Sequence, residues 1–228
     1  MSKKIYIWGV VFLVVLADQV LKYYIKTHFL LGDHISVFGE WFQLYFVENP
    51  GMAYGWKFGG EWGKLLLTVF RLCAVVFGVF YLIKISKSDK YHKGFVLCAA
   101  FIFAGALGNL IDSCFYGLLF DKGMVFNPNY NEYLGYDGLA TLTGKGGYAS
   151  FLHGNVVDML YFPVLRGNFP DWVPGWGGQE FEFFRPVFNI ADAAISLGVI
   201  ALMLFQKKFF PENQQEELTP EEKPINLQ

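Results

Sequence analysis

Four stretches of this chain, residues 5–25, 65–85, 94–115 and 188–205, are almost unbroken runs of apolar side chains. Each is close to the ~20 residues that an α-helix needs to cross a hydrocarbon core of ~30 Å. Backbone polar groups at that depth are satisfied only inside helices or closed barrels, so the runs restrict the fold more than any other feature. Apolar residues make up 54% of the 228 and aromatic residues 19%, with a mean hydropathy of +0.34. That balance is too apolar for a soluble domain and indicates an integral membrane protein. The expected fold class is all-α polytopic: four transmembrane helices, a small extracytoplasmic β-rich segment and an interfacial loop or helix region. One membrane-embedded domain is expected over residues 1–210. Residues 211–228, rich in Glu, Gln and Pro, are expected to form a disordered cytoplasmic tail.

Lysine density orients the runs. Lys3 and Lys4 precede the first, Lys84, Lys87, Lys90 and Lys93 crowd the link between the second and third, and Lys207 and Lys208 follow the fourth. Those segments and both termini are expected to be cytoplasmic, with loops 28–62 and 116–185 outside. The first run resembles a cleavable leader, but it continues past signal-core length without a small-residue cleavage site, so a retained anchor is expected. A formal net charge of −2 with no basic block argues against a nucleic-acid partner. Cys73, Cys98 and Cys114 lie in or at the end of apolar runs and are read as small core residues.

Acidic residues inside the runs point to the chemistry. Counted from the outer ends of the runs at 1.5 Å per residue, Asp18, Asp112 and Asp192 are expected at depths of ~13, ~6 and ~12 Å. A carboxylate near the centre of a spanning helix costs ~2.5 kcal/mol or more, so three at the level of one leaflet indicate a site facing the bundle interior. Asn189 shares a helical face with Asp192, and Ala191, Ala194, Ser196 and Gly198 let a neighbouring helix approach. Gly105, Gly108, Asn109 and Asp112 form a second small and polar stripe. Packing explains its glycines but not its Asn and Asp. Asp18 precedes Lys22 by four residues, which fits an intrahelical ion pair serving as scaffold. Arg71, at similar depth, either snorkels outward or pairs with one of the carboxylates.

The outer loops carry the remaining signals. Residues 37–47 are aromatic and β-branched between glycines, which predicts short strands at the interface. They lead into the turn Glu48-Asn49-Pro50-Gly51-Met52-Ala53-Tyr54-Gly55. Residues 123–148, rich in Gly, Asn and Tyr, read as irregular surface structure. Residues 153–163 form a short apolar segment with Asp158 in its middle, followed by Trp172, Val173, Trp176, Phe181, Phe183 and Phe184, an aromatic belt suited to headgroup level. Asp158 is therefore expected on an interfacial segment near the level at which Asp192 enters. His153, beside a glycine at a loop edge, reads as a surface residue.

Two carboxylates in a partly dry site cannot both ionise cheaply, so one keeps its proton while the other stays charged. The charged member then takes a proton from water as the protonated member donates to a scissile carbonyl oxygen. Peptide bonds can be cut this way without a metal or a covalent intermediate, and neither an HExxH nor a GxSxG motif is present. The pairing of Asp158 with Asp192 is inferred from their shared depth.

Five blocks follow in order: Asp18-Gln19-x-x-Lys22, Asn49-Pro50-Gly51-Met52-Ala53-Tyr54, Gly105-x-x-Gly108-Asn109-Leu110-Ile111-Asp112, Val156-Val157-Asp158 and Phe188-Asn189-Ile190-Ala191-Asp192. This set resembles that of lipoprotein signal peptidase, or signal peptidase II. The resemblance implies that Asp158 and Asp192, in the VVD and FNxAD motifs, are the catalytic aspartates. It implies that Asp18, Lys22, Asn49, Gly105, Asn109, Asp112, Asn189 and Ala191 support the site or bind substrate. It also implies an aspartic endopeptidase without cofactor or metal, acting as a monomer in the bacterial cytoplasmic (inner) membrane with its site toward the outer face. The expected partners are membrane lipid and prolipoproteins carrying a diacylglyceryl-modified cysteine, cut just before that cysteine.

There are two departures. Ser113 stands where the family usually has Arg, so that Arg's part is unsupplied or passes to another cation such as Arg71. The loop between the third and fourth runs is longer than expected, which leaves residues 115–148 and 165–182 without a family assignment; an insertion there should alter the substrate lid or a partner surface more than the chemistry. Two other classes compete. A small proton- or ion-coupled transporter predicts acids through the whole thickness and perhaps repeats, whereas the acids here lie on one side and no repeat is visible. An assembly factor using polar residues as glue would have little use for Asp158, outside the spans.

Overall fold

The computed structural model describes residues 3–51, 60–144, 146–163, 165–183 and 186–210. The apolar runs wind into α1 (Lys3–His28) and α2 (Gly60–Lys87), both longer than predicted at each end, and α3 (Lys93–Ile111), which stops short of the predicted limit at 115. His92 starts α3 by accepting the Gly94 amide on its ring Nδ1 at 3.0 Å. The far end of α3 widens into a π-helical turn (Asp112–Tyr116) followed by the short α4 (Gly117–Leu119). Between α1 and α2 lie β1 (His34–Phe38) and β2 (Phe42–Asn49). After α4 come β3 (Val125–Asn127), β4 (Glu132–Leu134), β5 (Val156–Tyr161), β6 (Leu165–Asn168), β7 (Glu180–Phe183) and β8 (Val187–Phe188), then α5 (Ile190–Leu204) and α6 (Gln206–Phe209).

Among the described residues three helices are long and apolar enough to cross a membrane: Lys4–His28, Trp62–Lys87 and Lys93–Leu119. The expected fourth run forms the 15-residue α5, ~22 Å long at 1.5 Å per residue, shorter than the others. The helices are inside-out by soluble-protein standards. Phe12, Leu66, Phe70, Phe77, Phe80, Met203 and Leu204 face outward, as a lipid solvent permits. Cys98 and Cys114 are buried as expected, but Cys73 is exposed on α2, among these lipid-facing side chains. α3 is the most enclosed of the three long helices and packs against α1, α2 and α5.

The all-α expectation needs amending in the outer region. The strands predicted over 37–47 form as β1 and β2, but they belong to a four-stranded antiparallel sheet ordered β1-β2-β5-β8. Asp158 is therefore not on a loop or interfacial helix. It sits inside the strand β5, opposite Val47 of β2, and five of the six β5 residues are buried. The Val-Val-Asp-Met-Leu-Tyr sequence suits a strand covered on both faces better than one alternating between core and solvent. Two hairpins, β3–β4 and β6–β7, occupy the rest of the second outer region, where 123–148 read as irregular. The predicted tail and the turn residues Met52–Gly55 lie outside the described residues.

The sheet runs directly into a helix at β8. β8 pairs with β5 through Leu160↔Phe188 and Tyr161↔Val187, and a single residue, Asn189, separates β8 from α5. The strand bearing Asp158 and the helix bearing Asp192 are thereby held in fixed register.

α3 and α5 meet backbone to backbone. A Cβ on Gly105 would lie 2.2 Å from the Ala191 carbonyl oxygen, and one on Gly198 would lie 2.8 Å from the Cys98 carbonyl oxygen. Neither neighbour is a flexible side-chain tip, so a methyl group must push the helices apart. Gly105→Ala is expected to destabilise the protein by about 1–3 kcal/mol. Gly9→Ala, where a Cβ meets nothing within 4 Å, should leave stability unchanged or slightly raised. Thermal unfolding of both variants in detergent checks the pair.

Candidate active site

The first turn of α5 carries the site. Asn189 is its N-cap: its Oδ1 accepts the Asp192 amide at 2.9 Å, and the Asp192 carboxylate accepts the Asn189 amide at 3.3 Å. This capping box corrects the expected depth of Asp192. The residue lies in the opening turn rather than near the middle of a span, where free amides and the positive end of the helix dipole favour a carboxylate. Its cost of insertion is correspondingly lower than a mid-helix Asp would incur.

Asn189 also reaches the other aspartate. Its Nδ2 donates to Asp158 Oδ1 at 2.7 Å and to Asn109 Oδ1 at 3.1 Å, while Asn109 Nδ2 donates to Asp192 Oδ1 at 2.7 Å. One amide from α3 and one from the β8–α5 junction thus tie the two carboxylates into one hydrogen-bond network. Asp158 is buried, and burial first, then the like charge of Asp192, raises its pKa to about 8; Lys22 and hydrogen bonds from Asn189 and Asn49 oppose the rise. At neutral pH Asp158 keeps its proton.

Beneath this pair lies a buried ionic cluster. Lys22 Nζ is 2.8 Å from both Asp18 Oδ2 and Asp112 Oδ2 and donates to Asn109 Oδ1 at 2.9 Å. The predicted Asp18–Lys22 pair therefore exists, but it extends to a third helix. Asp18 Oδ1 accepts the Ala191 amide at 2.9 Å, a donor at the start of α5. Asp112 Oδ2 accepts the Val157 amide at 3.3 Å, reaching the strand of Asp158. Gly108 lies where a Cβ would stand 2.7 Å from Asp18 Oδ2, so the glycine makes room for that carboxylate. Among the described residues, no buried side-chain nitrogen or oxygen lacks a hydrogen-bond partner. None of the described His, Cys, Asp and Glu residues groups in threes suited to a metal ion.

All ten residues named from the sequence converge on this region. Asp18 and Lys22 come from α1, Asn49 from the end of β2, Gly105, Asn109 and Asp112 from α3 and its π turn, Asp158 from β5, and Asn189, Ala191 and Asp192 from the start of α5. Asn49 Oδ1 accepts the Gly51 amide at 2.9 Å, giving the turn after β2 its shape. His153 hydrogen-bonds Ser150 and the Phe151 carbonyl and takes no part in the site.

Sequence reasoning quoted Gln19 in the first block but gave it no role. Its Nε2 donates to Asp112 Oδ1 at 2.8 Å, to Asp18 Oδ2 and the Gly108 carbonyl at 3.2 Å each, and its Oε1 accepts the Tyr116 hydroxyl at 3.2 Å. It also missed a second buried network one helical turn outward. Lys26 pairs with Glu48, whose carboxylate also accepts Tyr136 Oη and the Met124 amide at 2.8 Å each and Asn155 Nδ2 at 2.6 Å. Lys64 donates to Asn155 Oδ1. Burial, with the Glu48 charge behind it, pushes the Tyr136 and Tyr148 phenols up, so both stay neutral. The spacing of Asp18, Lys22 and Lys26 at four-residue steps was the available signal for this second tier.

The chain is similar to known proteins along most of its length. Residues 10–208 match the family model described as Signal peptidase (SPase) II. The chain is 40% identical over 223 residues to a lipoprotein signal peptidase of Porphyromonas gingivalis, covering 93% of this chain and 92% of that one. It is 35% identical over 207 residues to one from Amoebophilus asiaticus, covering 90% and 79%. A solved structure described as a bacterial membrane enzyme superposes with a TM-score of 0.56 at 22% identity, covering 92% of this chain and 93% of that one.

Lys22 is the cation shared by two buried carboxylates, so its removal strands both. Lys22→Met is expected to cost about 3–5 kcal/mol, since breaking a buried pair leaves uncompensated charge. A smaller loss by chemical or thermal unfolding in detergent would mean that the cluster is wetter than its burial indicates.

Proposed function

Since the chain belongs to the signal peptidase II family and is a protease that removes signal peptides from prolipoproteins, we propose that Asp158 and Asp192 perform the cleavage as an aspartic dyad. Asp192 is the base, its carboxylate held by the Asn189 backbone amide and the Asn109 side-chain amide. Asp158 is the acid. Asp192 takes a proton from a water lying between the carboxylates, and the resulting hydroxide adds to the scissile carbonyl carbon while Asp158 protonates the carbonyl oxygen. The tetrahedral diol then returns a proton to Asp158 as its C–N bond breaks, and the leaving amine takes the proton held by Asp192. What carries this reading is the bridging amide of Asn189, within 2.7 Å of Asp158 and in a reciprocal cap with Asp192.

The supporting residues act by holding that pair. Asn109 and Asn189 fix both carboxylates, Lys22 with Asp18 and Asp112 fixes α1 and α3 beneath them, and Gly105 and Ala191 allow the close helix contact. Asn49 contributes a hydrogen bond to Asp158 and shapes the turn beside it.

The substrate in this reading is a prolipoprotein bearing a diacylglyceryl cysteine, cut just before that cysteine. Its acyl chains remain among membrane lipids, so the scissile bond stays near the membrane surface, at the level of a dyad built where the sheet meets the helix ends. The enzyme would sit in the bacterial inner membrane as a monomeric single domain over residues 1–210, with both termini cytoplasmic and the dyad toward the outer face. α5, continued by α6, would make the fourth crossing, with Lys207 and Lys208 at its inner end. The lysines grouped at the α2–α3 link and in α6 support that orientation. The transporter alternative has no support from the relatives or from the clustering of the acids.

Asp158→Asn and Asp192→Asn are each expected to reduce cleavage of a lipid-modified precursor by ~10²–10⁴-fold or more while the protein remains folded. Wild-type turnover in either variant rejects the dyad. Activity should also decline as pH rises through about 8, because Asp158 loses above that value the proton it donates. A rate rising steadily through pH 9 would exclude Asp158 as the acid.

A further inference from the structure

The long outer loop encloses a cavity that the cleavage reading leaves unused. Its volume is about 270 Å³, and it lies between the start of α2, the β3–β4 hairpin and residues 148–153. That is just under the ~300 Å³ at which pockets for whole small molecules begin, so it suits one polar group of a larger molecule. Its walls are of two kinds. Val125 and Phe126 of β3 and Tyr133 of β4 make an apolar side, with the Phe126 and Tyr133 rings 5.4 Å apart. Lys64, Tyr148, Ser150 and His153 make the polar side, and among the described residues no Asp or Glu lines the cavity.

The polar side is held in place by the buried network behind it. Lys64 is buried, donates from Nζ to Asn155 Oδ1 and lies 5.3 Å over the Tyr133 ring. The Asn155 backbone amide donates to Tyr148 Oη at 2.7 Å, so the phenol accepts there and keeps its own proton to donate. Asn155 is itself fixed, its Nδ2 donating to Glu48 Oε2 at 2.6 Å and to the Met124 carbonyl at 2.9 Å. Glu48 lies behind Asn155 and is taken up by Lys26 and Tyr136. At the rim, Ser150 Oγ is 3.1 Å from His153 Nδ1, and the His153 Nε2 makes no hydrogen bond among the described residues. An ammonium, a phenol, a hydroxyl and an imidazole around one space match an oxyanion with several acceptor oxygens. Depth names the source of that anion. Lys64 is two residues into the Trp62–Lys87 span, ~3 Å along the helix, beside Trp62, which is 80% exposed as aromatic side chains at a membrane surface are. On the orientation proposed above, this is the level of the outer headgroups. We propose that the cavity binds a phosphate ester, supplied by a phospholipid headgroup whose acyl chains stay in the bilayer. Lys64 and Tyr148 take the phosphate oxygens, Ser150 and His153 close the rim, and Val125 and Phe126 cover the first carbons of the ester.

Neither the dyad nor the cleavage step enters this proposal, so binding alone tests it. The full-length protein in a maltoside detergent, which carries no phosphate, is titrated with dihexanoylphosphatidylglycerol, with glycerol phosphate and with dihexanoylglycerol, and its unfolding temperature is followed. A saturable rise is expected with the two phosphate esters and none with dihexanoylglycerol, because only a ligand that binds the folded protein raises that temperature. Tighter binding of the lipid than of glycerol phosphate upholds the headgroup as the source. Equal affinities uphold the phosphate chemistry and overturn the membrane source. S150E sets a carboxylate at the exposed rim and should weaken both esters by about tenfold or more, and K64M should do the same by removing the ammonium. Since Ser150 is exposed, S150E decides the matter if K64M does not fold. The proposal is overturned by the lack of any saturable rise in the wild type, by an equal rise with dihexanoylglycerol, or by wild-type affinity in S150E.

Discussion

Charge buried in an apolar interior is tolerated only when it is paired or fully hydrogen-bonded, and the architecture follows from that constraint. Asp18, Lys22, Asp112 and Asn109 are buried together where α1 and α3 meet the start of α5. Asp18 and Lys22 share α1 and are the only local pair in this cluster; the other contacts join separate elements. Lys22 ties α1 to the α3 end, Asp18 ties α1 to the Ala191 amide in the first turn of α5, and Asp112 ties the π turn to β5. The cluster is satisfied only when helices and sheet are assembled together. A polar network of this kind favours one arrangement where lipid-facing side chains would slide freely.

On that base, the path of the chain does the rest. β8 is two residues long, pairs with the strand of Asp158 and hands over through Asn189 to the helix of Asp192. A one-residue slip in that pairing would turn Asp158 to the other face of the sheet. Rigidity at this junction is what a proton-sharing pair requires, since small changes in separation change how strongly one charge resists the other. The outer tier of Lys26, Glu48, Asn155 and Tyr136 pins the long loop after α4 to α1 and β2, so the loop braces the sheet from outside. Its hairpins β3–β4 and β6–β7 stand apart from the sheet that bears Asp158.

Much of this was legible in the residues, for definite reasons. Apolar runs of spanning length gave α1, α2 and α3, and glycines at three-residue spacing gave the face of α3 that α5 touches. Asp112 and Asn109 were visible because polar groups in such a stripe have no packing rationale. The strand of Asp158 was not, because a short apolar segment buried on both faces has no period that separates strand from helix. The depth of Asp192 was misjudged because hydrophobicity does not mark a helix start; Asn189 three residues ahead of Asp192 was the capping signal, and it was read instead as a shared face. Gln19 was given no role because an uncharged side chain carries no cost that flags it, and its Asp112 partner lies about ninety residues away in sequence.

The central claim is that one proton resides on this pair of carboxylates at neutral pH, and on Asp158. Infrared difference spectroscopy of the protein in detergent, titrated from pH 5 to 10 and compared with D158N, measures it directly. The account predicts a protonated-carboxyl band at pH 7 that is absent in D158N and fades in wild type through about pH 8. A neutral-pH spectrum identical in wild type and D158N would place the proton elsewhere and contradict it.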